Sequence, residues 1–358
     1  MSSIKMTEFQ VYNNLMSRGI MLELINGKWF INGIEMPLYG MGGISWTLCC
    51  KYPEYFGSEV NSSRFFKWFI GNVNIIDGEW PEMPILVKAK TKMAVGYVPS
   101  ELAYPLTTKE LKLIHYLIDG DPKDNYAIFF YGVGGSGKST ICNLIASLFG
   151  HSDTATCALD QITEKFAREQ LAGKRLWYNP EVVSSWSDKA TGYFKKIVTG
   201  DVDQFEPKGK NPYTARYRCK ALFCCNVTPR FDFTDTGLLR RVLYYYKNEK
   251  IQNPDGSLQH KKYTEEELID IAVAALQTDM TNWTDDFIDE THKVIMETNN
   301  VAKYGICKEY DTYIAACSAN GVYPYAKEKW EKLKELFEGW ISTLEKKTPP
   351  STCGAYKF

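Results

Sequence analysis

Between Asn125 and Gly150 the chain reads NYAIFFYGVGGSGKSTICNLIASLFG, an apolar run that turns through glycines into a lysine, two hydroxyls and a second apolar run. No other stretch constrains the fold as strongly. Residues Gly132 to Ser139 satisfy G-x-x-x-x-G-K-[ST], after a strand-like AIFFYG and before a helix-like TICNLIASLF, which is the context that phosphate binding requires. An ordinary glycine-rich turn would need both flanking elements to be coincidences. Gly132, Gly134, Gly135 and Gly137, with Ser136 among them, let backbone N–H groups curl around phosphates. The helix N-terminus at Ser139 and Thr140 adds its positive dipole end, Lys138 reaches the β- and γ-phosphates, and Ser139 offers its hydroxyl to Mg²⁺. The expected cofactors are ATP and Mg²⁺.

Such a loop alone does not separate a kinase, a GTPase switch and a motor, so the next acidic motif matters. In GKRLWYNPEV, Leu176 to Tyr178 read as a short buried strand, and Glu181 falls just beyond its end, where a carboxylate can polarise a water beside the γ-phosphate. A paired acid is missing, because Asn179 and Pro180 hold the adjoining places. Glu181 is then the candidate general base. In KALFCCNVTPRF, Asn226 ends an apolar strand, where its amide needs a partner that a γ-phosphate or the attacking water would supply. In TDTGLLRRVLYYYK, Arg240 and Arg241 precede a strand, and a guanidinium there suits charge stabilisation in trans from a neighbouring subunit. Arg241, directly before the strand, is the favoured finger, with Arg240 close behind.

TGDVDQFEPKGKNPYTARYRCK carries Lys208, Lys210, Arg216 and Arg218 among aromatics, and Lys208-Gly-Lys-Asn-Pro is turn chemistry. The segment is expected to be a hairpin whose basic residues meet nucleic-acid phosphates without reading sequence. A solvated hairpin fits the same residues. Asp201 and Asp203 have no third ligand placed to complete a metal site and read as loop.

Three regions follow. Residues 1–105 are mixed, aromatic and rich in Gly and Pro, with runs such as ILVKAKTKMAVGYV that read as strands. Residues 106–250 alternate apolar strands (126–131, 175–179, 221–225, 241–246) with helical stretches (139–149, 160–171, 189–199), an α/β pattern with a parallel sheet. A helix opened by Thr107 or Thr108, with Leu111, Ile114, His115 and Ile118 on one face, leads into it as a lid or collar. Residues 251–358 read as helical, with a capping box at Thr264 and Glu267.

The 42 basic and 43 acidic residues give a net charge of -1, so any nucleic-acid surface must be a local patch. The ten cysteines contain no Cys-x-x-Cys pair, and with four histidines zinc-ligand spacing is absent. Reduced thiols in the cytoplasm are expected. No run of about 18 apolar residues offers a membrane helix.

Taken in order, TTKELKLIHYLIDGD, FFYGVGGSGKST, GKRLWYNPEV, KKIVTGD, ALFCCNVTP and GLLRRVLYYY resemble the superfamily 3 helicases, in particular the helicase portion of phage, plasmid and poxvirus-type primase-helicases. The resemblance covers roughly residues 107–250. It implies an AAA+-like P-loop ATPase core, roles for Lys138, Ser139, Glu181, Asn226 and an arginine at 240 or 241, and a hexameric ring translocating on single-stranded or forked DNA. A primase or other replication proteins are the implied further partners. The C-terminal region resembles the winged-helix-like tail of that family, while residues 1–105 would be a collar or an origin-binding module. No His-hydrophobe-His nickase motif is present. The expected function is ATP-dependent replicative DNA unwinding for a phage, virus or mobile element. An ATP-driven assembly switch that is indifferent to DNA, and a packaging or RNA-directed motor, remain the alternatives.

Overall fold

The computed structural model describes residues 22–25, 28–31, 34–35 and 83–347, apart from 122, 183–185, 207–212, 253, 260 and 307. Most of the N-terminal 82 residues, including any collar, and Lys208 and Lys210 lie outside the described residues.

Three short strands, β1 (Leu22–Ile25), β2 (Lys28–Ile31) and β3 (Ile34–Glu35), pair antiparallel in sequence order. Ile25 faces Lys28 and Ile31 faces Ile34. Each connection is therefore two residues, and the sequence supplies Asn-Gly both times, the dipeptide that two-residue hairpins favour.

The main sheet is wholly parallel. Its strands are β4 (Ala127–Gly132), β5 (Thr154–Ala155), β6 (Leu176–Asn179), β9 (Lys220–Cys225) and β10 (Val242–Lys247), ordered β10-β4-β9-β6-β5. Between β6 and β9 the chain inserts an antiparallel hairpin, β7 (Val202–Phe205) and β8 (Tyr213–Arg216). Asp203 therefore sits in a strand rather than a loop. Its carboxylate accepts a hydrogen bond from Tyr217 Oη at 2.9 Å and lies 3.7 Å from Arg168 Nε, so it anchors the hairpin base.

Alternate residues of each strand enter opposite cores. On one face Phe129, Phe223, Tyr244 and Trp177 meet Phe194 and Phe231, with Phe129 to Phe223 at 4.8 Å and Trp177 edge-on to Phe223 at 4.8 Å. Such aromatic pairs add about 0.5–1.5 kcal/mol each beyond their burial. On the other face Ile128, Phe130, Leu222, Cys224 and Tyr245 pack beneath helices.

Those helices are α1 (Pro84–Ala94), α2 (Thr108–Asp119), α3 (Lys138–Asp153) and, from far along the chain, α8 (Glu265–Leu276). The intervening helices are α4 (Lys165–Glu169), α5 (Asp188–Thr199), α6 (Thr236–Leu239) and α7 (Gly256–Gln259). After α8 come α9 (Asp285–Thr298), α10 (Asn300–Tyr304), α11 (Tyr310–Ala319) and α12 (Lys327–Lys347). Among the described residues, 256–347 contain no strand, so the winged-helix expectation lacks its wing.

Two further expectations are corrected. ILVKAKTKMA is the helix α1, because Pro84 opens it and Ala, Lys and Met favour helix, while Met83, Leu86 and Ala89 recur every three residues and bury against α8. Residues 160–171 are a 3₁₀ turn at Leu159–Gln161 followed by the short α4, not one helix. The buried residues of α2 are Glu110, Leu113, Ile114, Tyr116, Leu117 and Ile118, so Ile114 and Ile118 of the expected face are buried, whereas Leu111 and His115 are half-buried. Thr107 caps α2 in a full capping box with Glu110, and Thr264 does the same for α8 with Glu267.

An edge strand exposes unpaired N–H groups, and β10 is such an edge. Helix α9 covers it: Thr291 Oγ1 accepts from Tyr244 N–H at 2.8 Å and Glu290 Oε2 from Tyr246 N–H at 3.1 Å.

Candidate functional site at the carboxyl edge of the sheet

The glycine-rich loop joins the end of β4 to the start of α3, between β9 and β10. Gly132 is required by close approach. Its φ is 147°, and a Cβ there would sit 1.8 Å from the Lys247 carbonyl oxygen of β10. Gly135 (φ 80°) and Gly137 (φ 82°) adopt the left-handed backbone that non-glycine residues avoid. Among the described residues nothing lies within 4 Å of a would-be Cβ at Gly134 or Gly135, so those residues leave the outer wall of the loop open. Gly137 caps α3 without a side chain, so no side-chain oxygen satisfies the first N–H groups of that helix.

Lys138 is buried and folded inward. Its ammonium donates to the carbonyls of Gly132 at 2.9 Å and Val133 at 2.6 Å and reaches Ser136 Oγ at 3.3 Å. Burial lowers its pKa from the ordinary lysine value. Buried Ser136 donates to the Val133 carbonyl at 2.9 Å and locks the turn. Ser139 is exposed, with Oγ 3.7 Å from Cys224 Sγ of β9, and Thr140 beside it is half-buried. Beneath the loop, a hydrogen bond with the Cys142 thiol pulls the Cys224 thiol down to about 7, against the upward push of burial.

Glu181 is exposed at the same edge, two residues past β6. Asn179, in the place of a paired acid, is buried, and its Oδ1 accepts from Glu181 N–H at 3.2 Å. The next residue, Val182, donates its N–H to the Cys224 carbonyl at 3.1 Å and ties this turn to the end of β9. Asn226, one residue past β9, is exposed rather than buried, so the expected desolvation penalty on its amide is absent. The sheet thus brings Lys138, Ser139, Glu181 and Asn226 to one edge through the ends of β4, β6 and β9.

Arg240 and Arg241 lie at the other edge. Arg241 precedes β10, whose far end, Lys247, is the one paired with Gly132, so about six residues of strand, roughly 20 Å, separate them from the loop. Arg241 Nε donates to Thr199 Oγ1 at 2.9 Å and its Nη1 to the Gly237 carbonyl, while burial, then repulsion from Arg240, lowers its pKa. Arg240 is exposed. Arg216 and Arg218 sit at the base of the hairpin, with Arg216 Nη1 donating to the Gly200 carbonyl at 2.9 Å.

The sequence reading missed the segment after β10. Ile251 N–H donates to the Gly135 carbonyl at 3.1 Å, and Ile251 Cδ1 and Tyr104 Oη approach Gly137. No motif marks them; only the pairing of Lys247 with Gly132 brings this segment over the loop.

The profile of a family of unknown function, DUF5906, matches residues 130–241. That span runs from the end of β4 to the start of β10 and includes the loop, Glu181, Asn226 and both arginines. Among solved structures, the chain is weakly similar to the apo NrS-1 C-terminal region (305–718), with TM-score 0.44 and 13% identity over 95% of this chain and 89% of that one. An A-form apo structure of the same region gives TM-score 0.41 and 14% identity over 92% and 86%. Among the described residues no helix is long and apolar enough to cross a membrane, and no group of three or more His, Cys, Asp or Glu side chains is placed to hold a metal ion.

Proposed function

We propose that the chain is an ATP hydrolase that drives a DNA helicase. The observation that carries this reading is the loop from Gly132 to Ser139, open on its outer wall, with an uncapped helix N-terminus on one side and Glu181 at the same sheet edge. Its residues fit a triphosphate. The backbone N–H groups of 134–139 would bind the phosphates, Lys138 would turn from the Gly132 and Val133 carbonyls toward them, and Ser139 would hold Mg²⁺. The metal supplies neutralisation of charge on the phosphates when bound. Glu181 orients and deprotonates the attacking water, and Asn226 offers its amide beside it.

The distance of Arg240 and Arg241 from their own loop supports a role in trans, in which each subunit completes the site of the next within a ring, as a hexamer would require. Arg240, exposed where Arg241 is pinned to Thr199 and Gly237, is the better finger. The hairpin bearing Arg216 and Arg218 would meet the single or forked DNA strand.

Asn179, standing where a paired acid would be, leaves Glu181 as the acid of this turn, which favours slow turnover and an assembly switch as the second reading. Strand displacement on a forked DNA duplex separates the two. The helicase reading expects ATP-dependent unwinding that Lys138→Ala abolishes and hydrolysis that single-stranded DNA stimulates. Hydrolysis indifferent to DNA, with no unwinding, overturns it in favour of the switch.

A further inference from the structure

Three parts of the chain that are far apart in sequence meet at the first turn of α3. Tyr104 comes from the connection between α1 and α2, Ile251 from the segment after β10, and Gly137 from the end of the glycine-rich loop. A Cβ at Gly137 would lie 3.0 Å from Ile251 Cδ1 and 3.6 Å from Tyr104 Oη. The phosphate chemistry assigned to the loop uses neither side chain, and both residues lie outside the span 130–241 that the DUF5906 profile matches.

Each is unusual for its type. Tyr104 is 7% exposed, yet among the described residues no group gives or takes a hydrogen bond at its hydroxyl. A buried polar group ordinarily has a partner, so one left over beside a phosphate-type loop points to a ligand. Burial, then the Glu110 carboxylate, raises the Tyr104 pKa, which keeps the hydroxyl a protonated donor at neutral pH. Ile251 is the reverse case, a large apolar side chain that is 46% exposed although its own N–H is fixed on the Gly135 carbonyl at 3.1 Å. The backbone carrying each is anchored. Lys261 Nζ donates to the Ala103 carbonyl at 3.3 Å, next to Tyr104, and Lys247, earlier in the segment that carries Ile251, is paired in register with Gly132.

The N–H groups of the loop suit phosphate oxygens, but they offer nothing to the sugar and base of a nucleotide. An apolar side chain beside a single hydroxyl suits that other half, with area to cover a ring and one hydrogen bond to fix its orientation. Resting on the reading of the loop as a nucleotide site, we propose that Tyr104 and Ile251 hold the nucleoside of the bound nucleotide, Ile251 against its apolar face and the Tyr104 hydroxyl donating to one of its oxygen or nitrogen atoms. Affinity then has determinants that the motif from Gly132 to Ser139 does not contain.

Calorimetric titration of the intact chain with adenosine diphosphate and with pyrophosphate, both with Mg²⁺, separates the nucleoside from the phosphates. Wild type should bind the nucleotide more tightly than pyrophosphate. Tyr104→Phe keeps the ring and removes the hydroxyl, so it should weaken the nucleotide about five- to tenfold and leave pyrophosphate within about twofold. Ile251→Ala should show the same selective loss. Tyr97→Phe is the control, because its hydroxyl is already bonded to Asp270 at 2.9 Å, and it should change neither affinity. Melting of the nucleotide-free Tyr104→Phe protein should match wild type, a result that a tyrosine hydroxyl with a purely structural role would not give. Unchanged nucleotide affinity in folded Tyr104→Phe and Ile251→Ala, or equal losses for nucleotide and pyrophosphate, overturns the proposal. A wild type that binds pyrophosphate as tightly as the nucleotide overturns the nucleoside site alone, whereas one that binds neither ligand overturns the reading of the loop and the nucleoside site with it.

Discussion

Glu110 joins the helical layer to the strand that flanks the loop, and its removal has a calculable effect. The carboxylate is 1% exposed, yet it accepts from Thr107 N–H at 2.9 Å, Tyr245 Oη at 3.1 Å and Lys247 Nζ at 2.7 Å. Glu110→Ala deletes half of a capping box, about 1 kcal/mol, and leaves a lysine without its counter-ion. Breaking a buried ion pair from one side costs about 3–5 kcal/mol, but the Lys247 side chain keeps 22% exposure and can turn to water. The total should therefore fall at the low end, about 3 kcal/mol. At about 2–4 °C per kcal/mol, Tm should drop by roughly 6–12 °C in a thermal melt followed by circular dichroism. Glu110→Gln keeps an acceptor for Thr107 and should lose about half as much. Combining Glu110→Gln with Lys247→Met removes the orphaned charge, so the double variant should be more stable than the sum of the singles by about 1 kcal/mol. Because the Lys247 carbonyl abuts Gly132, nucleotide affinity should fall along with Tm. A Tm within 2 °C of wild type for Glu110→Ala, or strict additivity in the double variant, would refute the reasoning.

Gly132→Ala drives a Cβ to 1.8 Å from the Lys247 carbonyl at a positive φ, so it should destabilise by well over ~1 kcal/mol and lose nucleotide binding, read by melting and titration. Thr291→Val removes the acceptor for Tyr244 N–H on the covered edge of β10 and should cost about 1–3 kcal/mol in denaturant unfolding. Arg241→Ala should lower Tm, because its guanidinium bonds Thr199 and Gly237. Arg240→Ala should leave Tm unchanged while cutting hydrolysis of the assembled protein by about 10³ or more, as loss of a finger arginine does. Equal behaviour of the two arginine variants in both assays counts against the division of roles.

Strands β4, β6, β9 and β10 of the main sheet were legible because each reads as an apolar run flanked by turns, whereas β5 was not, because the two residues Thr154–Ala155 carry no periodic pattern. The cap at Thr107 and the box at Thr264 were legible for the same local reason, a hydroxyl three residues before a glutamate. Helix α1 was not. KAKTKMA alternates lysine with smaller residues and mimics a half-buried strand, while the period that governs burial, Met83 to Leu86 to Ala89, emerges only against α8, some 180 residues on. The two Asn-Gly turns between β1, β2 and β3 carried a hairpin signal that the aromatic and glycine-rich composition obscured. At the site, the motif marked Lys138 and Ser139 directly, but nothing local revealed that Asn226 is exposed, that Asn179 holds the Glu181 backbone, or that Ile251 closes on Gly135. Those facts depend on the order in which parallel strands lie side by side.

The central claim is that the loop from Gly132 to Ser139 binds and spends a nucleoside triphosphate, and steady-state release of phosphate from Mg²⁺-ATP tests it most directly. The account predicts turnover in the wild type, its loss in Lys138→Ala, and a loss in Glu181→Gln that leaves ATP binding intact. Hydrolysis that persists unchanged in a folded Lys138→Ala protein, or a folded wild type with no turnover in the presence or absence of single-stranded DNA, would contradict it.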